Sequence, residues 1–152
     1  MPMPWAYRDA TKDFRSFLDD AKDRLGLHSD NTAYTAVDAV FQVFRRRVTV
    51  QQGLAFADVL PAVLRAIFVF RWDTTVPPVR FETKDILTKE AQAVRLHHNL
   101  TPDRAIEAVA WALRRHVRQM DLDRVLASMP PGAVDYWHVE TDDPSELDQR
   151  IV

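Results

Sequence analysis

Phe14, Phe17, Leu18, Ala21 and Leu25 recur at spacings of three and four with polar residues between them, which places them on one stripe of a helix of about 3.6 residues per turn. Gly26 follows where a left-handed C-terminal cap belongs. Tyr34, Val37, Phe41, Phe44 and Val48 make a second stripe, widened by Ala33, Ala36 and Val40. That helix has a broad apolar face and is expected to be central. Thr49-Val-Gln-Gln52 reads as a capping box, in which the threonine oxygen and the glutamine side chain satisfy each other's orphan amides. The short helix it opens should end before Pro61, which suits the first turn of a fourth helix running to about Trp72.

The second half repeats this order at a constant offset of 69 residues, the distance from Pro61 to Pro130. Leu18, Leu27, His28, Thr32, Ala36, Ala39, Val40, Arg45, Arg46, Val48 and Pro61 meet the same residue type at that offset, and Val37/Ile106, Asp38/Glu107, Leu60/Met129 and Phe68/Trp137 keep their character. In this copy Ile86, Leu87, Ala91 and Val94 form the first stripe, and Thr101-Pro102 supplies a cap before Ile106, Val109, Leu113 and Val117. Asp121 should cap a short helix, and Pro130-Pro131-Gly132 should open an abbreviated last one near Trp137. The spacing therefore predicts an all-α fold, eight helices as two tandem four-helix repeats packed into one bundle-like domain over 1–152. The repeats span 14–72 and 83–137, joined by a linker at 73–82 that contains Pro77-Pro78, and an acidic tail at 138–152 is expected to fray.

Composition narrows the chemistry. A chain of 152 residues that is 47% hydrophobic can bury roughly 68–70% of its unfolded surface and needs no metal or disulfide to fold. The absence of cysteine excludes a thiol nucleophile and thiolate metal sites. Only Gly26, Gly53 and Gly132 are glycines, too few to write a dinucleotide fingerprint or a phosphate-cradling loop. A net charge of −2 gives no general attraction to nucleic acid. The opening Met1-Pro-Met-Pro-Trp5 is no secretory signal, and the apolar run at 67–70 is too short and too interrupted by arginine for the ~20 residues of a membrane span. A cytoplasmic protein is the expectation.

Phe17-Leu18, Leu25-Gly26-Leu27, Ala39-Val40, Leu60-Pro61 and Met129-Pro-Pro-Gly132 with Trp137, set in two copies of helix, helix, short helix and aromatic helix, resemble the bacterial family named domain of unknown function 2267. The resemblance covers roughly 14–137 and implies an all-helical two-repeat domain. It brings no activity and no catalytic residues. This chain departs from the pattern through its unusually apolar fourth helix and the Pro77-Pro78 linker.

His28 and His97 match at the offset, with His98 adjacent, so packing about a pseudo-two-fold could bring imidazoles together on a metal or in a small ligand site between the repeats. Against it, neighbouring helical residues point about 100° apart, and neither His-Glu-x-x-His nor Glu-x-x-His occurs. No cofactor or metal is therefore expected. Arg45, Arg46 and Arg47 match Arg114, Arg115 and His116; they lie in last helical turns, where each cation opposes the macrodipole by about 0.3–1 kcal/mol, and regulatory nucleic-acid binding is the alternative. Asp19, Asp20 and Asp23 fall on the face away from Phe14, Phe17 and Leu18, so they are expected in solvent with little reason for shifted pKa values. No nucleophile sits in a strand-turn-helix elbow. What stands out is the fourth helix, where Val63, Leu64, Ile67, Phe68, Phe70 and Trp72 span more circumference than one core contact covers. The expectation is a non-enzymatic helical protein that binds another protein or itself, as a homodimer through these residues, with no nucleic acid or membrane partner.

Overall fold

The computed structural model describes residues 1–95 and 101–150 and is helical throughout, with no strand among them. Nine α-helices follow in order among the described residues: α1 (Trp5–Arg8), α2 (Ala10–Leu25), α3 (Asp30–Arg45), α4 (Val50–Asp58), α5 (Ala62–Val69), α6 (Lys84–Ala93), α7 (Ala105–Arg114), α8 (Gln119–Ala127) and α9 (Ala133–Tyr136). The eight expected helices are α2 to α9, and the short α1 is an addition that buries none of its residues. Gly26 closes α2 at φ 69°, a left-handed cap where only glycine avoids a Cβ penalty. Ser29 opens α3 by accepting from the Thr32 amide. Both arms of the capping box form at Thr49 and Gln52.

Boundaries shift in the second half. The Ala105 amide donates to Pro102 O, so Thr101-Pro102 makes a separate tight turn and α7 begins later than its cap signal suggested. Helix α8 begins before Asp121, which lies in its first turn and accepts from Arg124 at 3.0 Å.

The two halves interlock. Helix α2 packs on α7 and α3 on α6, while α3 meets α7 and α4 meets α8, so each half covers the apolar stripe of the other. At the centre lie the fully buried rings of Phe41, Phe44, Phe56, Phe68, Tyr136 and Trp137. Phe44 and Phe56 approach to 4.8 Å between centroids, Phe56 and Phe68 to 4.9 Å, and Phe56 and Trp137 to 5.4 Å; such pairs add roughly 0.5–1.5 kcal/mol each beyond burial. The Tyr136 hydroxyl, at the heart of this cluster, donates to Val40 O at 2.6 Å.

Several polar contacts recur at the 69-residue offset. Arg45 Nη1 donates to Phe68 O at 2.8 Å, and Arg114 Nε donates to Trp137 O at 2.7 Å. Arg46 and Arg47 reach across to Glu90 on α6, as Arg115 and His116 reach across to Asp20 on α2, the two acceptors lying one position out of that register. The arginines and the histidine that follow α3 and α7 thus tie each central helix to the first helix of the other half.

The tail corrects the expectation of fraying. A 3-10 turn at Pro144–Leu147 docks it on α7 and α8, with Leu147 8% exposed and Val139 6%. Arg115 Nη1 donates to Glu146 O, Gln119 Nε2 donates to Leu147 O, and the Arg150 amide donates to Arg115 O. An acidic segment holds here because the guanidinium and amide donors it needs stand at the end of α7 and the start of α8.

Candidate interaction surface

Helix α5 stops at Val69, short of Trp72, for a reason distant in sequence. Arg45 Nη1 takes Phe68 O and, at 3.0 Å, Phe70 O, carbonyls that a further helical turn would have used. The chain then turns through Arg71 at φ 52°, a left-handed position that costs a non-glycine residue of the order of 1 kcal/mol. This break sends the six apolar candidates to different places. Leu64 and Phe68 belong wholly to the chain's own core, each 0% exposed, while Val63, Ile67 and Trp72 are half-buried. Phe70 projects outward at 61% exposure, with the Arg71 guanidinium over its ring at 5.1 Å.

Trp72 folds back over α4. A Cβ on Gly53 would stand 2.2 Å from the indole, so this glycine is what lets the ring lie against the helix. The Arg45 guanidinium lies 5.9 Å from the Trp72 ring; burial pulls the Arg45 pKa below its ordinary value, and Asp38 offsets part of that. Burial in turn raises the Asp38 pKa despite the Gln42 amide donating to it. Between Trp72, the end of α3, the start of α4 and the linker opens a groove of about 400 Å³ lined by Arg46, Val50, Arg71, Val76 and Pro77 among others. Its negative group, Asp73, is engaged by the Thr75 amide and hydroxyl, which hold its carboxyl below the usual range. Phe70, Val50, Val76 and Val79 are the exposed large apolar residues of this region, with Leu54 on the same short helix as Val50.

Over residues 14–136 the chain matches the model of the family described as uncharacterized conserved protein (DUF2267). The chain belongs to this family. A comparison with curated proteins finds no match. The description of DUF2267 names no activity, and the helical scaffold is that of the structure itself. The groove and Phe70 lie where the apolar α5 gives way to the linker that carries Pro77-Pro78.

The remaining candidates separate. His28 is exposed after α2, while His97 and His98 lie outside the described residues. Among the described residues no three metal-ligating side chains gather. The arginine clusters are largely engaged inward: Arg47 is 4% exposed and donates to Val43 O and to both Glu90 oxygens. Burial opposes ionisation of Glu90, and the Arg47 and Arg46 bonds outweigh it, so its pKa is lowered. No helix among the described residues is long and apolar enough to cross a membrane.

Asp20 is the residue that the sequence reading misplaced. Asp19 and Asp23 are exposed as expected, but Asp20 is 9% exposed and accepts from His116 at 2.8 Å, Arg115 at 3.1 Å and Arg150 at 2.9 Å. Burial works against its charge, and these three donors more than compensate, so its pKa falls. His116 goes the other way for a histidine beside a carboxylate: burial lowers its pKa below 6.5 and outweighs Asp20. It is therefore neutral at pH 7, its N–H donating to the carboxylate. The signal was present, since Asp20 lies three residues after Phe17 and so beside the buried stripe.

Proposed function

We propose that this chain is a non-catalytic, cytoplasmic helical protein that works by binding another protein chain through the surface at the end of α5, a second copy of itself being the first partner. The observation that carries this reading is Phe70. It stands 61% exposed beside an apolar groove, in a chain whose other phenylalanines are buried or half-buried. Phenylalanine and tryptophan are enriched in interface cores, whereas a ring left in water gains nothing. A two-fold contact would pair each Phe70 with the apolar rim of its mate and close without exposing a new edge.

Two other readings receive less support. A nucleic-acid surface needs guanidinium groups facing solvent, and here Arg45, Arg47 and Arg114 serve backbone carbonyls and carboxylates. For a metal or ligand site between the halves at His28, His97 and His98, the described residues include His28 alone, which is exposed. Sedimentation velocity over a concentration series tests the primary reading: a dimer that dissociates on dilution supports it, and a monomer at every concentration up to about 100 μM, well above a micromolar Kd, refutes self-association.

A further inference from the structure

The second half of the molecule holds a peptide in place, and its grip can be read residue by residue. Trp111 Nε1 donates to the Glu146 carboxylate at 3.0 Å, Arg115 Nη1 to Glu146 O at 2.6 Å and Gln119 Nε2 to Leu147 O at 2.9 Å. Leu147 is buried beneath, and the Arg150 amide closes on Arg115 O at 2.7 Å. Three of these contacts read main chain and two read side chain, a carboxylate and a leucine.

Moved back by 69, the gripping residues are Gln42, Arg46 and Val50, and all three line the groove beside Trp72. The chain even returns in the same way, the Val79 amide donating to Arg46 O at 3.0 Å. What differs is the filling. Val76 and Pro77 each precede a proline, which steers both away from the helical backbone that a 3-10 turn requires. The linker therefore arches over the groove, Val76 stays 59% exposed where the tail buries Leu147, and about 400 Å³ is left open.

We propose that this groove binds a short acidic segment of a partner protein, an acidic residue followed by leucine in a tight turn, as the tail binds the matching groove. The lining has that complementarity. Val50, Trp72 and Val76 supply apolar lining, and Arg45, Arg46 and Arg71 outnumber Asp73, the one carboxylate of the lining, with Arg46 sharing Glu90 with Arg47. Gln42 stands in place of the Trp111 indole, so guanidinium groups take over the reading of the carboxylate. The inference names the partner class for the surface proposed above, and rests on that surface binding protein.

A fluorescent peptide of residues 142–150, titrated with the full chain, is the test. Saturable binding on the order of 10–100 μM is expected, since a short segment must lose its own freedom on docking. Amide shifts should fall on Val50, Trp72 and Val76, and binding should weaken about tenfold both for the Glu146→Gln peptide and for the Val76→Glu protein. No saturation, indifference to both changes, or shifts only around Trp111 and Gln119, where the peptide would be replacing the tail, would each overturn it. If the chain dimerises through Phe70 yet ignores the peptide, this inference fails and the interaction reading survives.

Discussion

Replacing Trp111 with alanine should cost about 3–5 kcal/mol, the usual loss for a buried tryptophan. The ring is 8% exposed on α7, with the Arg24 guanidinium 5.0 Å and the Arg115 guanidinium 4.7 Å from its centroid. The facing α2 is held off by Arg24, which donates to Glu107 on α7 at 2.8 Å, so the space does not close. Trp111→Phe separates the two parts of the loss. It keeps most of the apolar area and removes only the indole donor to Glu146, worth about 1 kcal/mol once the partial exposure of that carboxylate is allowed for. Urea unfolding followed by far-ultraviolet circular dichroism measures both, and an unchanged m value keeps the comparison valid. Hydrogen exchange at the Arg150 amide supplies a second readout, since tail docking leans on the same ring. A loss below about 1 kcal/mol for the alanine variant, or an unaltered Arg150 amide, would refute the packing argument.

Gly53→Ala should drive Trp72 out of its place, because the new Cβ would meet the indole at 2.2 Å; a red shift in the summed emission of Trp72, Trp111 and Trp137 in a background lacking Trp5, absent when Trp72 is also replaced, would report it, with the loss softened by the ~1 kcal/mol that alanine adds inside a helix. Glu90→Gln should cost about 3 kcal/mol by leaving the buried Arg47 guanidinium without its carboxylate. The double change Arg47→Met and Glu90→Leu should cost less than that single one in urea melts. Acid should destabilise the fold from about pH 6.5 downward, because the folded-state His116 pKa lies below its ordinary 6.5; the unfolded chain binds the proton first, so stability is whole above 6.5 and falls as pH drops through it. Asp20, with its lowered pKa, adds a further loss below 3.8. Stability measured from pH 8 to 5 should decline in the parent and stay flat over that interval in His116→Gln.

The helices were legible because their causes are local. Stripes of apolar residues, the Gly26 cap and the Thr49 to Gln52 box each act within one turn or one element; the cap and the box form as expected, and of the stripe residues Tyr34 and Ile86 turn to solvent. Features set by distant partners were not. The end of α5 depends on Arg45, more than twenty residues upstream, capturing the carbonyls of Phe68 and Phe70. The tail looked like a fraying acidic segment because only Leu147 and Val139 anchor it and its donors lie on α7 and α8. Asp20 was assigned to solvent by the helical wheel of α2 alone, although the Arg115 and Arg150 guanidinium groups and the His116 imidazole converge on it from the end of α7 and the tail. Of the six residues singled out as an interface, burial of Leu64 and Phe68 follows from their facing α2 and α3, and exposure of Phe70 follows from the turn that a sequence pattern does not contain.

The measurement that bears most directly on the account is the mass of the parent chain and of Phe70→Glu by light scattering coupled to size exclusion. Phe70 is exposed at the end of α5 and outside the core, so its replacement leaves the fold intact and acts on association alone. The account predicts a dimer of twice 17.5 kDa for the parent and a monomer for Phe70→Glu. A parent that runs as a monomer, or a dimer that Phe70→Glu leaves unchanged, would contradict it and assign the aromatic surplus of α5 to the chain's own core.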